Sequence, residues 1–91
     1  MPLDEVRGAI EDIDDNIIDC IVQRMKLAEV VFEIKKKENL AIEDKGRNKM
    51  VLDRVAKKAD GYGLDSGGIR EIFEILIKMS IERQKQLKQG I

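Results

Sequence analysis

One amphipathic stripe runs from about Asp4 to about Lys37, and it is too long for a chain of 91 residues to cover by itself. Its apolar positions are Leu3, Val6, Ile10, Ile13, Ile17 and Cys20, then Leu27, Val31 and Ile34, in steps of three and four. That spacing is one face of an α-helix. Asp4 and Glu5 open the stretch and Lys35, Lys36 and Lys37 close it, which complements the helix dipole. Asn39 follows as a left-handed cap. A helix of about 34 residues is ~50 Å long at 1.5 Å per residue. A compact domain of this size has a radius of gyration of ~12 Å and is roughly 30 Å across. The helix therefore overhangs any globule the chain can form alone, and its stripe continues along the overhang. A second copy is the simplest cover, giving an intertwined helical dimer. A plain coiled coil with two further amphipathic helices satisfies the periodicity equally well.

The rest of the chain repeats the helical period. A second helix is expected from Asp44, whose carboxylate caps the first turn, through Met50, Val51 and Val55 towards Ala59. Asp60-Gly61-Tyr62-Gly63 reads as a turn. A third helix starts near Asp65 or Ser66, carries Ile69, Phe73, Leu76, Ile77 and Leu87, and ends at Gly90. The expectation is an all-α single domain over residues 1–91, with long, short and long helices in an intertwined homodimeric bundle.

Composition excludes several functions. The net charge of −1 gives no field that favours nucleic acid or an anionic membrane. A membrane-spanning helix needs about 20 apolar residues in a row, and no such run is present. The acidic start does not resemble a secretory signal, so the cytoplasm is the expected location. The single cysteine rules out an intramolecular disulfide framework, and histidine is absent. The commonest general base and most zinc sites are missing with it. Neither a metal nor a cofactor is expected. Any chemistry relies on carboxylates, amines, amides or hydroxyls, or needs no proton transfer.

Polar residues interrupt the apolar stripes. Arg24 stands on the first-helix stripe, Arg7 at its edge, and Lys35, eleven residues after Arg24, almost returns to the same face. Long cations often snorkel along apolar neighbours, and Lys35 also suits the last turn of its helix. Three on one seam with few acids nearby instead suggest an anionic ligand, because a buried cation needs a counter-charge. On the third helix, Ser80 and Gln84 occupy stripe positions between Leu76 and Leu87; the ordinary explanation is register-setting hydrogen bonds. Asp44, Arg47 and Asn48 gather at the start of the second helix, where capping is common and free N–H groups can also bind an acceptor. Arg7 and Arg24 are 17 residues apart, hence separated by ~25 Å along one helix. One small ligand reaches both only if two first helices run antiparallel.

This pattern resembles the all-helical chorismate mutases, including the mutase domains fused to prephenate dehydratase or dehydrogenase. The resemblance covers essentially the whole chain. It rests on Leu3-Asp4-Glu5-Val6-Arg7 with Ile10-Glu11-Asp12-Ile13-Asp14, and on Gln23-Arg24, Leu27-Ala28 and Ile34-Lys35. It extends to Asp44, Arg47 and Asn48 on the second helix and to Ser80 and Gln84 on the third. Asn48 departs from the pattern, which has a Glu that accepts the substrate's ring hydroxyl; an amide oxygen can also accept.

The resemblance implies rearrangement of chorismate to prephenate, on the route to phenylalanine and tyrosine. The reaction is intramolecular and needs neither a covalent intermediate nor a proton transfer. It implies that Arg24 and the partner's Arg7 clamp the two carboxylates, with Lys35 and Gln84 donating to the ether oxygen. Asp44 acts through its backbone N–H and Asn48 through its side chain on the ring hydroxyl. Ser80 supports a carboxylate and Arg47 steadies that end of the site. Val31, Val51, Ile77 and Ile81 form the walls, and Cys20 is a small core residue rather than a nucleophile. A lyase that removes pyruvate from isochorismate, or a non-catalytic dimerisation module, would share the scaffold. With no further domain in the chain, feedback control by an aromatic amino acid is not expected.

Overall fold

The computed structural model describes residues 2–90. Three helices follow in order: α1 (Leu3–Glu38), α2 (Lys45–Gly61) and α3 (Ser66–Lys88). Their ends are chemically marked. α1 begins with Asp4 and Glu5 in its first turn and closes with three lysines. Asn39 takes the left-handed conformation at φ 57°, and the backbone N–H of Leu40 returns to the Lys35 carbonyl, satisfying an end the helix cannot satisfy itself. Asp44 caps α2 by accepting from the Arg47 N–H at 3.0 Å. α2 runs through Asp60 and Gly61, two residues beyond the expected Ala59, and the reversal falls to Gly63 at φ 70°. Glycine is tolerated in a last turn, and the left-handed position, which L side chains resist, is where glycine is needed.

Asp65 caps α3 by accepting from the Gly67 N–H at 3.1 Å. A Cβ on Gly68 would lie 3.0 Å from an Asp65 carboxylate oxygen, so a side chain there would push the capping carboxylate aside by a few tenths of an ångström. Two glycines at the start of a helix are weak helix formers, which places more weight on the cap. Asp65→Ala is expected to lower stability by ~1 kcal/mol. Urea unfolding at fixed protein concentration, followed by circular dichroism, measures it.

α3 packs against both α1 and α2, which do not pack on each other among the described residues. The buried residues are few: Ala28 and Phe32 from α1, Val55 and Ala59 from α2, and Gln84 from α3. α1 projects beyond them. From Pro2 to Cys20 every residue except Gly8 is exposed. The radius of gyration is 16.3 Å and the extents are 55 × 28 × 15 Å, set by the length of α1. Leu3, Ile13 and Ile17 are 61%, 57% and 51% exposed, so the stripe has no cover within one chain. Cys20, expected in the core, is exposed as well. It lines an apolar groove with Ile13, Ile17, Ile21, Ile72, Phe73 and Leu76, because its stripe faces away from what this chain can bury. No described helix is long and apolar enough to cross a membrane.

Candidate active site

The C-terminal half of α1, the start of α2 and the second half of α3 enclose a cavity of about 340 Å³. Its lining contains Arg24 and Lys35 from α1, Asp44, Arg47 and Asn48 at the α2 end, and Ser80 and Gln84 from α3. Val31, Val51, Ile77 and Ile81 form apolar wall, joined by Leu27, Ala28 and Ile42. The gap exists because α3 holds α1 and α2 apart. Every residue singled out from the sequence is here except Arg7, which lies on the projecting part of α1.

The electrostatics favour an anion. Three cations line the cavity against one carboxylate, and the Asp44 carboxylate is engaged in its cap. Arg24 is half-buried, and burial pulls its pKa below the ordinary arginine value. Among the described residues it forms no ion pair. Its Nη1 donates to Ser80 Oγ at 2.9 Å and to the Leu76 carbonyl at 3.3 Å. Ser80 Oγ in turn donates to the same carbonyl at 3.1 Å. These bonds fix the guanidinium plane and leave its Nε–Nη2 edge without a partner among the described residues. That edge has the fork geometry of a bidentate carboxylate contact. Ser80, expected to support a ligand carboxylate, is here a partner of Arg24, with its hydroxyl both accepting and donating.

Among the described residues Gln84 is the one buried polar side chain, at 5% exposure, and its Oε1 has no hydrogen-bond partner. A buried amide oxygen left unsatisfied costs about 1–3 kcal/mol. Gln84 is also part of the cavity lining, so its amide stands at the cavity wall. Lys35 donates its ammonium to the Ile42 carbonyl on the α1–α2 loop. Neither this contact nor the Leu76 carbonyl behind Arg24 is visible in the residue pattern, because a backbone acceptor has no side-chain signature. Outside the cavity, Arg83 joins Glu29 through Nε at 2.8 Å and Nη2 at 2.7 Å, tying α3 to α1. Its partial exposure makes it a modest contribution. The arrangement can bind and orient a small dianion and place neutral and cationic donors near it. It contains no acid–base pair.

Comparison with known proteins agrees with this geometry. Residues 6–85 match the model of the family described as chorismate mutase type II. The chain is 37% identical over 84 residues to a chorismate mutase of Methanocaldococcus jannaschii, covering 92% of this chain and 85% of the relative. It is 32% identical over 81 residues to a bifunctional chorismate mutase/prephenate dehydratase of Buchnera aphidicola subsp. Schizaphis graminum, covering 89% of this chain and 21% of that longer protein. A 4-amino-4-deoxychorismate mutase of Streptomyces venezuelae is 24% identical over 75 residues, covering 82% of this chain and 73% of the relative. With three helices, a cation-lined cavity between them and a family match over most of its length, the chain belongs to the chorismate mutase type II family.

Proposed function

We propose that the cavity binds chorismate and rearranges it to prephenate, and that each site is completed by Arg7 of a second copy. The observation that carries this is Arg24, a half-buried cation with no counter-charge and one open guanidinium edge. A ligand carboxylate supplies the missing charge. Chorismate has a second carboxylate, which calls for a second cation. Arg7 is ~25 Å from Arg24 along α1 and cannot serve within one chain. The exposed stripe of Leu3, Val6, Ile10, Ile13 and Ile17 gives the reason for a partner. Two α1 helices packed antiparallel cover both stripes and bring each Arg7 towards the other chain's Arg24.

Clamping both carboxylates holds the enolpyruvyl arm over the ring, which removes most of the orientational cost of an intramolecular rearrangement. As the C–O bond breaks, negative charge gathers on the ether oxygen. Lys35 and the Gln84 amide donate to it; a preorganised donor of this kind is worth about 3 kcal/mol. Lys35 exchanges its Ile42 carbonyl for this oxygen as the site fills. Asp44 through its backbone N–H and Asn48 through its side chain meet the ring hydroxyl. Arg47 lends positive charge at the same end, and Ser80 acts by holding Arg24. The decisive assay incubates the protein separately with chorismate and with isochorismate and identifies the products. Prephenate from chorismate is the expected result. Pyruvate released from isochorismate, without prephenate from chorismate, would assign a lyase. No product from either would leave a dimerisation module.

Asn48 is half-buried on the cavity wall, and its side chain has no partner among the described residues. Asn48→Glu is expected to keep the fold and raise kcat/KM by about five-fold, equivalent to ~1 kcal/mol. A carboxylate accepts a stronger, charge-assisted bond from a hydroxyl than an amide does. Repulsion between that carboxylate and a dianionic substrate works the other way. Steady-state kinetics on the folded variant decide between them, and a clear loss of kcat/KM would mean that the site is adapted to the amide.

A further inference from the structure

A second cavity, of about 250 Å³, lies between the last turns of α1, the loop that follows and the end of α3. Its apolar lining is Phe32, Leu40, Ile42 and Leu87, and its cations are Lys35, Lys36 and Lys88. Phe32 is buried beneath it at 6% exposure. No acidic residue lines it, and none of these lysines forms an ion pair among the described residues. Dipole compensation explains a lysine at each helix end. It does not explain why the ends of α1 and α3 converge their lysines over one apolar floor. Lys35 and Ile42 also line the first cavity, and they are joined by the Lys35–Ile42 carbonyl hydrogen bond.

We infer that this second cavity binds a small aromatic carboxylate and that its occupancy slows the reaction in the first. The cavity is smaller than the ~300–1,000 Å³ of sites for drug-sized ligands, and it suits one ring with a short acidic arm. The ring rests on Phe32 and Leu87, with the offset or edge-on geometry that aromatic pairs prefer. The carboxylate lies between Lys36 and Lys88. An α-ammonium on the ligand would meet these same cations, so a plain acid is favoured over the corresponding amino acid. Coupling runs through Lys35. An anion in the second cavity attracts the Lys35 ammonium and holds it away from the first, removing a donor from the ether oxygen. Such control is built into the catalytic domain itself and differs from feedback by an aromatic amino acid, which this cavity disfavours.

Binding can be tested without reference to the reaction; only the kinetic effect rests on the reading of Lys35 in the first site. The probe is phenylacetate, with phenylalanine as the control. Amide NMR titration of the natural protein is expected to show saturable shifts at Phe32, Leu40 and Leu87 with phenylacetate and much weaker ones with phenylalanine. The Lys36→Gln/Lys88→Gln protein, whose basal activity is expected to be unchanged, should lose the shifts. With chorismate as substrate, saturating phenylacetate should lower kcat about five-fold, the low end for coupled sites, and excess substrate should not restore it. The double variant should resist this inhibition. Shifts centred on Arg24 and Ser80, with purely competitive inhibition that the double variant retains, would place the anion in the first cavity and overturn the inference. So would the absence of saturable shifts, or saturable binding at Phe32 and Leu87 with kcat unchanged. If the protein does not turn over chorismate at all, the NMR titration still decides whether the second cavity binds the acid.

Discussion

Arg7→Ala and Arg24→Ala proteins should each lose about 10²–10³-fold in kcat, the usual consequence of deleting a preorganised charged donor. Unfolded together in equal amounts and refolded, they should recover about one quarter of the wild-type activity. Random pairing makes about half the dimers mixed, and each mixed dimer has one site with both arginines and one with neither. The motive is the ~25 Å between the two residues along a straight helix, against a cavity of about 340 Å³ that contains Arg24 and excludes Arg7. Mixed dimers are identified by a mass tag on one variant. Mixed dimers without recovery would exclude a site shared between chains, and Arg7 would then be an exposed cation with no role in binding.

The same experiment bears on why α1 has the sequence it has. Helices in folded proteins owe little of their stability to intrinsic propensity; packing of an apolar face supplies most of it. The N-terminal half of α1 stays exposed in its own chain apart from Gly8, yet keeps the apolar period to Leu3. Surface chemistry alone would not preserve Ile10, Ile13 and Ile17 in step. The groove of Ile17, Cys20, Ile72 and Phe73 continues that face onto α3, so the proposed partner helix would meet a surface already shaped by two elements.

Much of this was legible in the sequence, for identifiable reasons. Helix ends are written in local chemistry, so Asp44, Asp65 and Asn39 located them to within a residue or two. Arg24, Ser80 and Gln84 stood out because a stripe that should be apolar makes every polar member visible. The fold then brings Arg24 and Ser80 into direct contact across 56 positions of sequence. What the sequence could not express was pairing with backbone. The Leu76 carbonyl that orients Arg24 and the Ile42 carbonyl that holds Lys35 carry no residue-type signal. Cys20 illustrates a different limit. Periodicity tells which face is apolar but not which chain covers it, so a residue expected in the core is exposed in the single chain.

Gln84→Glu should turn a pH-indifferent enzyme into one whose activity falls as pH rises. The natural amide does not titrate, so it donates at any ordinary pH. The sequence has no histidine, the side chain whose ordinary pKa lies between pH 5 and 8. Arg24 has its pKa lowered by burial, but from an ordinary value far above neutrality, so it stays charged. kcat/KM of the natural protein should therefore vary little from about pH 5 to 8. A carboxyl in place of the amide donates only when protonated, and its unperturbed pKa is about 4.3. Burial at this 5%-exposed position raises that value, as do the two carboxylates of the substrate; the Lys35 ammonium lowers it. The sign is the same whichever prevails. Activity is present below the pKa of the introduced carboxyl and lost above it, by about 10²–10³-fold at pH 8 if one oxyanion donor is removed. The measurement is kcat/KM against pH for both proteins, with folding checked at each point. A variant fully active at pH 8, with a profile parallel to that of the natural protein, would remove Gln84 from the reaction. Its buried amide would then be a helix-register group whose oxygen lacks a partner, and Lys35 would be left as the sole donor to the ether oxygen.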